Sequence, residues 1–246
     1  MAIPDLMIAG EEEIVIKHLY IILMKNNLGN VKFCKTLIKH KQITVNNEVV
    51  DDPQYPIYGN EMIKYGERVL SSQPFHYYML NKPKGYVCAN SDKQYPCVVD
   101  LVDDKDCYCL GRLDIDTTGL LILTDDKSLS KKLLLPQNHV DKTYLVGVNH
   151  PLDAKLKDSF LNGIVIDGSI VTKSAIYEPL TKTTCLLTIS EGKYHQIKKM
   201  FLSCGYKVES LKRLTFASIK LDENLDVGQY RPLIKEEIKK LQEYSL

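Results

Sequence analysis

From Ile14 to Met24 apolar residues crowd the chain, and a polar break ending in Gly29 and Asn30 separates them from "VKFCKTLIKH", whose lysines fall on one side. The pattern predicts two helices, the second capped by Asn30. Two short β-branched runs in "QITVNNEVV" meet at Asn46 and Asn47. Both residues tolerate the positive φ of a tight turn, so a hairpin is expected there. The prolines, glycine and acids of "DDPQYPIYGNE" place an exit and linker at Asp51 to Gln73, with Pro74 opening a second domain. The chain is thereby divided into a tail at residues 1–13, a small α/β domain with its linker at residues 14–73, and a larger domain at residues 74–246.

Beyond Pro74, strand-like runs dominate: "FHYYMLNKP", "GLLILT", "KTYLVGV", "GIVID", "TTCLLTIS" and "VESLKRLTFASIKL". Helical patterns such as "DDKSLSKKLLL" and "YHQIKKMFLSCG" lie between them, and "LIKEEIKKLQEY" closes the chain. Strands and helices do not alternate regularly. The expected fold class is therefore α+β, with a mixed, mainly antiparallel sheet flanked by helices in the larger domain.

At 246 residues and 44% hydrophobic content the chain can bury a substantial core. Its 32 Lys and Arg against 31 Asp and Glu give a net charge of +1, so bulk charge points to no partner. The distribution says more. Between Ile14 and Val50 stand Lys17, Lys25, Lys32, Lys35, Lys39 and Lys41, with Glu48 as the only acid. Such a run is either a solvated face or a phosphate-binding surface that gains affinity by releasing counterions. The second reading assigns Lys32, Lys35, Lys39 and Lys41 to RNA. The seven cysteines, Cys34, Cys88, Cys97, Cys107, Cys109, Cys185 and Cys204, form no Cys-x-x-Cys pair. Neither a zinc site nor a disulfide framework is expected, and a reducing cytoplasm fits. "MAIPDLMIAGEEE" lacks a basic leader and "LYIILM" is far too short for a span, so no membrane partner is expected.

The most unusual stretch is "LGRLDIDTTGLLILTDD", Leu110 to Asp126, which sets Arg112, Asp114 and Asp116 on a turn ahead of an apolar strand. Asp114 to Thr118 satisfies the Asp-x-Asp-x-Thr pattern of aspartate-nucleophile phosphatases. That chemistry wants its first aspartate at the end of a buried strand, whereas here the apolar run follows the motif and Arg112 would compete with a cation for the carboxylate. A structural reading stays open too, in which Asp114 or Asp116 caps the turn or pairs with Arg112. Only four arginines occur, at 68, 112, 213 and 231, so a plain positive charge is ordinarily supplied by lysine. Arg112 is read as chosen for its planar fork, which can stack on a base or grip phosphate bidentately.

Together, "GRLDIDTTGLLILTDD", "YYMLNKPKGYVCAN", "KTYLVGV", "LTISEGKYHQIKKMF" and "QYRPLIKEEI" resemble, in order and spacing, the motifs of ribosomal small-subunit pseudouridine synthases (the RsuA family). The basic N-terminal segment resembles the S-four-type RNA-binding domain carried by that family. It departs from the family pattern in having "IVIKHLYIILMKNN" where an Arg-Leu-Asp-Lys opening is usual and Asn47 where a hairpin glycine is common.

The resemblance implies an isomerase that breaks the ribose bond to N1 of uracil, turns the ring and rejoins it through C5, without metal or redox cofactor. It implies ribosomal RNA or a ribosomal assembly intermediate as partner, and a monomer as the assembly. Asp114 becomes the catalytic carboxylate, as nucleophile or as base, with Asp116 structural. Lys198 matches the position whose cation pairs with that aspartate, which favours its ionised form. Tyr144 matches the active-site tyrosine, which stacks on the displaced uracil and accepts a proton. Arg112 would fill the gap left by the flipped base, and His195 and Lys199 would contact RNA. Tyr194, His195 and Gln196 resemble the small-subunit enzymes more than the large-subunit ones, where Asn-Arg-Gln is usual. The alternatives are a large-subunit enzyme of the same family and a non-catalytic RNA-binding protein.

Overall fold

The computed structural model of the chain describes residues 17–59, 61–72, 75–104 and 106–243. The expected tail at residues 1–13, Ile14 at the head of the first apolar run, and Gln73 and Pro74 at the end of the expected linker lie outside these residues. Two compact units divide between Phe75 and His76.

The first unit runs β1 (Lys17–His18), α1 (Leu19–Lys25), α2 (Val31–Lys39), β2 (Ile43–Val45), β3 (Glu48–Val50), β4 (Pro56–Ile57), β5 (Ile63–Tyr65) and β6 (Arg68–Leu70). Asn30 caps α2 by accepting the Phe33 N–H at 3.0 Å, and Asn46 and Asn47 turn the β2–β3 hairpin at φ 53° and 69°. Both match the sequence expectation. Leu19, Ile22 and Leu23 on α1 and Cys34, Leu37 and Ile38 on α2 repeat at i, i+3, i+4, so one stripe of each helix enters the core.

The linker expected at Asp51 to Gln73 is a misreading. Within it residues 56–70 carry β4 to β6, a four-stranded sheet in the order β3-β2-β5-β6 includes two of these strands, and Ile57, Ile63 and Leu70 are buried in the domain core. Each buried side chain of this kind contributes about 1.5–3 kcal/mol, so the segment is part of the domain. Asn26 ties the end of α1 to Ser71, donating from Nδ2 to its carbonyl and accepting its N–H, each at 2.9 Å. Strands of two or three residues offer too few positions for alternation to be visible beside prolines, glycines and acids.

The second unit continues β7 (Tyr77–Lys82), β8 (Tyr108–Leu110), β9 (Thr118–Thr124), α3 (Lys127–Leu133), β10 (Lys142–Val148), α4 (Leu156–Asn162), β11 (Val165–Ile166), β12 (Ile170–Val171) and β13 (Ile176–Pro179). After these come β14 (Thr184–Ile189), α5 (Gln196–Ser203), β15 (Val208–Arg213), β16 (Thr215–Phe216), β17 (Ile219–Lys220), β18 (Tyr230–Pro232) and α6 (Lys235–Glu243). The main sheet has eight strands in the order β13-β14-β10-β15-β9-β7-β18, with β8 also paired to β9. Within it β9 and β15 run parallel and the other paired neighbours antiparallel. This is the mixed, mainly antiparallel α+β fold expected. Strand β9 is buried at every position after Thr118, which is why "GLLILT" reads as a continuous apolar run.

Register builds the site. Lys82 pairs with Gly119, Gly119 with Arg213, and Arg213 with Tyr144, so these four residues form one row across four strands. Gly119 sits at φ +95°, and a Cβ there would lie 2.3 Å from the Arg213 carbonyl oxygen. Gly119→Ala is therefore expected to destabilise the protein by at least about 2 kcal/mol, through backbone strain and a clash that cannot relax. Gly228 has a similar φ of +87° but open space around it. A urea midpoint for Gly119→Ala no lower than that for Gly228→Ala would refute the close-approach account.

Candidate active site

The chain leaves β8 at Leu110 and enters β9 at Thr118, and the intervening residues carry the Arg-Leu-Asp turn. Gly111 opens it at φ 79°. The Thr117 N–H returns to the Asp114 carbonyl at 3.1 Å, closing a four-residue turn. From beneath, Lys82 pins it. This lysine is fully buried, and its Nζ donates to the carbonyls of Thr117 at 2.9 Å, Pro83 at 3.0 Å and Ile115 at 3.4 Å. Burial lowers its pKa, while the carboxylates of Asp116 and Asp114 work in the opposite direction. The Gly85 N–H adds a bond to the Ile115 carbonyl at 2.8 Å, and the Leu113 N–H donates to Cys88 Sγ at 3.3 Å.

Helix α5 brings the opposing charge. Lys198 Nζ lies 2.9 Å from Asp114 Oδ2 and 2.5 Å from Asp116 Oδ1. Burial opposes charge on both sides of this contact, but the hydrogen bonds and mutual attraction outweigh it. The Asp116 carboxyl is held below the usual carboxylate range and the Lys198 ammonium above its own. At the first position of α5, Gln196 fixes the preceding loop by donating to Glu191 Oε1 at 2.7 Å and accepting the Lys193 N–H at 2.9 Å. His195, at φ 54°, caps nothing with its side chain; its Nε2 stands 3.6 Å from Asp114 Oδ1 and its ring stacks on Tyr194 at 3.8 Å.

Asp114, Lys198, Tyr144, Arg112 and His195 all line one cleft of about 710 Å³. Tyr144 is buried in the wall, its position set by the β10–β15 register, and Arg112 is exposed. The cleft thus sets a carboxylate held by a cation beside an aromatic wall, with a guanidinium on the same turn. Among the described residues no group of three His, Cys, Asp or Glu is arranged to hold a metal ion.

Residues 76–203 match the family model described as RNA pseudouridylate synthase, and residues 26–63 match the S4 domain. The chain belongs to the RNA pseudouridylate synthase family. It is 39% identical over 206 residues to the ribosomal small subunit pseudouridine synthase A of Salmonella typhimurium, and equally to that of Escherichia coli, covering 82% of this chain and 89% of each relative. The Haemophilus influenzae protein of the same name is 39% identical over 209 residues, with 83% and 90% covered. A crystal structure of a pseudouridylate synthase superposes with a TM-score of 0.66 at 36% identity, spanning 91% of this chain and 99% of that one.

For a pseudouridylate synthase, the residues singled out in the sequence fall into two groups. The structure gathers Asp114, Tyr144, Lys198, Arg112 and His195. Lys199 is set apart from the cleft lining: its Nζ pairs with Asp167 at 2.6 Å and lies 5.1 Å from the centre of the Tyr194 ring. Lys32, Lys35 and Lys39 lie on α2 of the other unit, Lys35 over the Tyr20 ring at 4.7 Å, and Lys41 follows at 3.7 Å from Asp51. Asp116, read as structural, shares the Lys198 ammonium with Asp114. Sequence reasoning missed the anchoring role of Lys82, although "NKPKGY" was in view; a lysine ending an otherwise apolar strand run was the available signal. It also missed Arg213, 2% exposed, whose Nε donates to the Leu120 carbonyl at 2.7 Å.

Proposed function

We propose that this pseudouridylate synthase isomerises one uridine of small-subunit ribosomal RNA, with Asp114 as the carboxylate that acts at the glycosidic carbon. The observation that carries the reading is the contact between Lys198 and Asp114 in a cleft walled by Tyr144. Lys198 aims the carboxylate and supports its charge, so it meets the reacting carbon ionised whether it works as nucleophile or as base. Tyr144 offers its ring to the detached uracil and its hydroxyl to a departing proton. A uridine in folded RNA must be flipped out at an unstacking cost of a few kcal/mol, and Arg112, exposed on the same turn, occupies the space or clamps the nucleotide. His195 contacts RNA beside Asp114.

The relatives named for the small ribosomal subunit and the Tyr194-His195-Gln196 sequence favour the small-subunit target over the large-subunit one. The S-four-type domain at residues 14–73, ahead of a catalytic domain at 74–246, supplies Lys32, Lys35, Lys39 and Lys41 to the RNA backbone, with Lys199 contributing once released from Asp167. The enzyme works in the cytoplasm as a monomer, on ribosomal RNA or an assembly intermediate. Among the described residues no helix is long and apolar enough to cross a membrane.

Pseudouridine mapping of ribosomal RNA from cells with and without the gene tests the assignment. The expected result is loss of one modified position in small-subunit RNA. Loss in large-subunit RNA instead would select the sister activity, and an unchanged map would leave an RNA-binding role.

Tyr144→Phe separates stacking from proton transfer. The ring is retained, so RNA affinity should stay within about twofold, while the single-turnover rate falls by about 10²–10⁴ for want of the hydroxyl. Affinity and rate measured side by side decide it: a normal rate makes Tyr144 a stacking platform only, and a parallel loss of affinity makes its hydroxyl an RNA-holding group.

A further inference from the structure

The cleft holds two cations that neither aim Asp114 nor pin its turn. Lys142 and Arg213 both line it. Lys142 stands two residues before Tyr144 on β10, so the two side chains leave the same face of the strand, and Arg213 is the direct cross-strand partner of Tyr144 on β15. Phe216 gathers them: the Lys142 ammonium lies 5.6 Å from the centre of its ring and the Arg213 guanidinium 5.2 Å. Their charges are unmatched. Lys82 is taken up by three carbonyls and Lys198 by two carboxylates. By contrast Lys142 Nζ donates to the Val140 carbonyl at 2.6 Å, Arg213 Nε donates to the Leu120 carbonyl at 2.7 Å, and neither is joined to a carboxylate among the described residues. Arg213 Nη2 is buried and has no hydrogen-bond partner. Burial and the neighbouring Arg213 charge lower the Lys142 pKa to about 8, against the pull of Asp141 and Glu191. Two such cations on an aromatic wall are stabilised by an anion that arrives with the substrate.

We propose that Lys142 and Arg213 form the seat of the uracil anion, taking up its negative charge while the ring is detached and turning beside Tyr144. When the C1′–N1 bond breaks, its electron pair stays with the base, and the charge spreads over N1, O2 and O4. Asp114 completes the sugar, through a new C1′–O bond or by accepting the C2′ proton. C5 then bonds to C1′ as the bond to Asp114 breaks or the C2′ proton returns, the C5 proton leaves, and N1 takes one up. No atom is gained or lost. The phosphates of a flipped nucleotide stay with the RNA chain, so the base is the part that reaches a wall whose arginine is 2% exposed. Cations held at that wall lower the energy of the charge as it develops and cost no reorganisation when it does. The proposal rests on the reading that uracil is released beside Tyr144.

The test gives the full chain two RNA substrates, one with uridine at the modified position and one with 5-fluorouridine, whose fluorine itself stabilises the departing anion. Consumption of the target nucleoside is followed in a single turnover, beside RNA affinity and urea unfolding. Lys142→Met should leave RNA affinity within about twofold and slow uridine consumption by about 10²-fold, while its deficit on 5-fluorouridine should be smaller by about fivefold or more. Arg213→Gln should show the same pattern; where urea unfolding shows that it does not fold, Lys142→Met decides alone. A normal uridine rate in Lys142→Met, equal deficits on the two substrates, or an affinity loss that matches the rate loss, which would make Lys142 a contact to backbone phosphate, would each overturn the proposal. An active Asp114→Asn enzyme would instead overturn the role of Asp114, with the 5-fluorouridine comparison still reporting on the departing base.

Discussion

Asp114→Asn should fold, bind RNA as the wild type does, and form pseudouridine more than about 10³-fold more slowly. The amide has nearly the shape of the carboxylate, and the turn around it is held by groups the substitution does not touch: Lys82 on the Ile115 and Thr117 carbonyls, Gly85 on Ile115, and Thr117 on the Asp114 backbone. Lys198 keeps Asp116 at 2.5 Å, so its ammonium is not stranded. What disappears is the negative charge and the lone pairs that attack carbon or take a proton. Urea unfolding, RNA affinity and single-turnover rate on the same preparation give the answer, and a rate within tenfold of wild type would remove Asp114 from the chemistry.

Lys198→Ala should slow turnover by about 100-fold, and Lys199→Ala by no more than about threefold. Removing Lys198 leaves the partly buried Asp114 and the exposed Asp116 without the cation between them, so Asp114 loses both its aim and its charge support. Removing Lys199 dissolves a surface pair with Asp167, a contact of a kind that contributes about 0–1 kcal/mol. Lys198→Arg should recover most of the activity, because a guanidinium can bridge the same two oxygens. The stability gap between wild type and Lys198→Ala has a pH signature. Asp116 is held low, so its contribution is present above its unfolded value of about 4 and is lost as pH falls through the folded value. Lys198 is held high, so its contribution is present below its unfolded value of about 10.4 and is lost as pH rises through the folded value. The gap should therefore be widest between about pH 4 and pH 10 and narrow on both sides. Equal rate losses in the two alanine variants would move Lys198 to the RNA-binding surface.

Where a signal acts within a few residues, the sequence was enough. Asn30 caps α2, Asn46 and Asn47 turn a hairpin, and the apolar run after Thr118 is the buried centre of the sheet. The ordered set of motifs likewise carried the family and the residues of the cleft, because each motif is a local string. The same approach failed on residues 56–70, where strands of two or three residues leave no measurable period and the turn-forming glycines and acids read as linker.

Contacts between distant residues were decided by tertiary structure alone. Asp114 and Lys198 are 84 residues apart in sequence, and only the packing of α5 against the sheet makes one ammonium serve both Asp114 and Asp116. Lys82, Gly119, Arg213 and Tyr144 share a row through hydrogen-bond register between four strands, a relation that shifts every side chain to the other face if any strand slips by one residue. Cys88 was brought beneath the turn by the fold, its sulfur accepting the Leu113 N–H at 3.3 Å across 25 residues of sequence. Helix caps and turns are fixed by backbone groups a few bonds away. Charge pairs and cleft shape depend on distances through space, which the chain sets only when its sheet has closed.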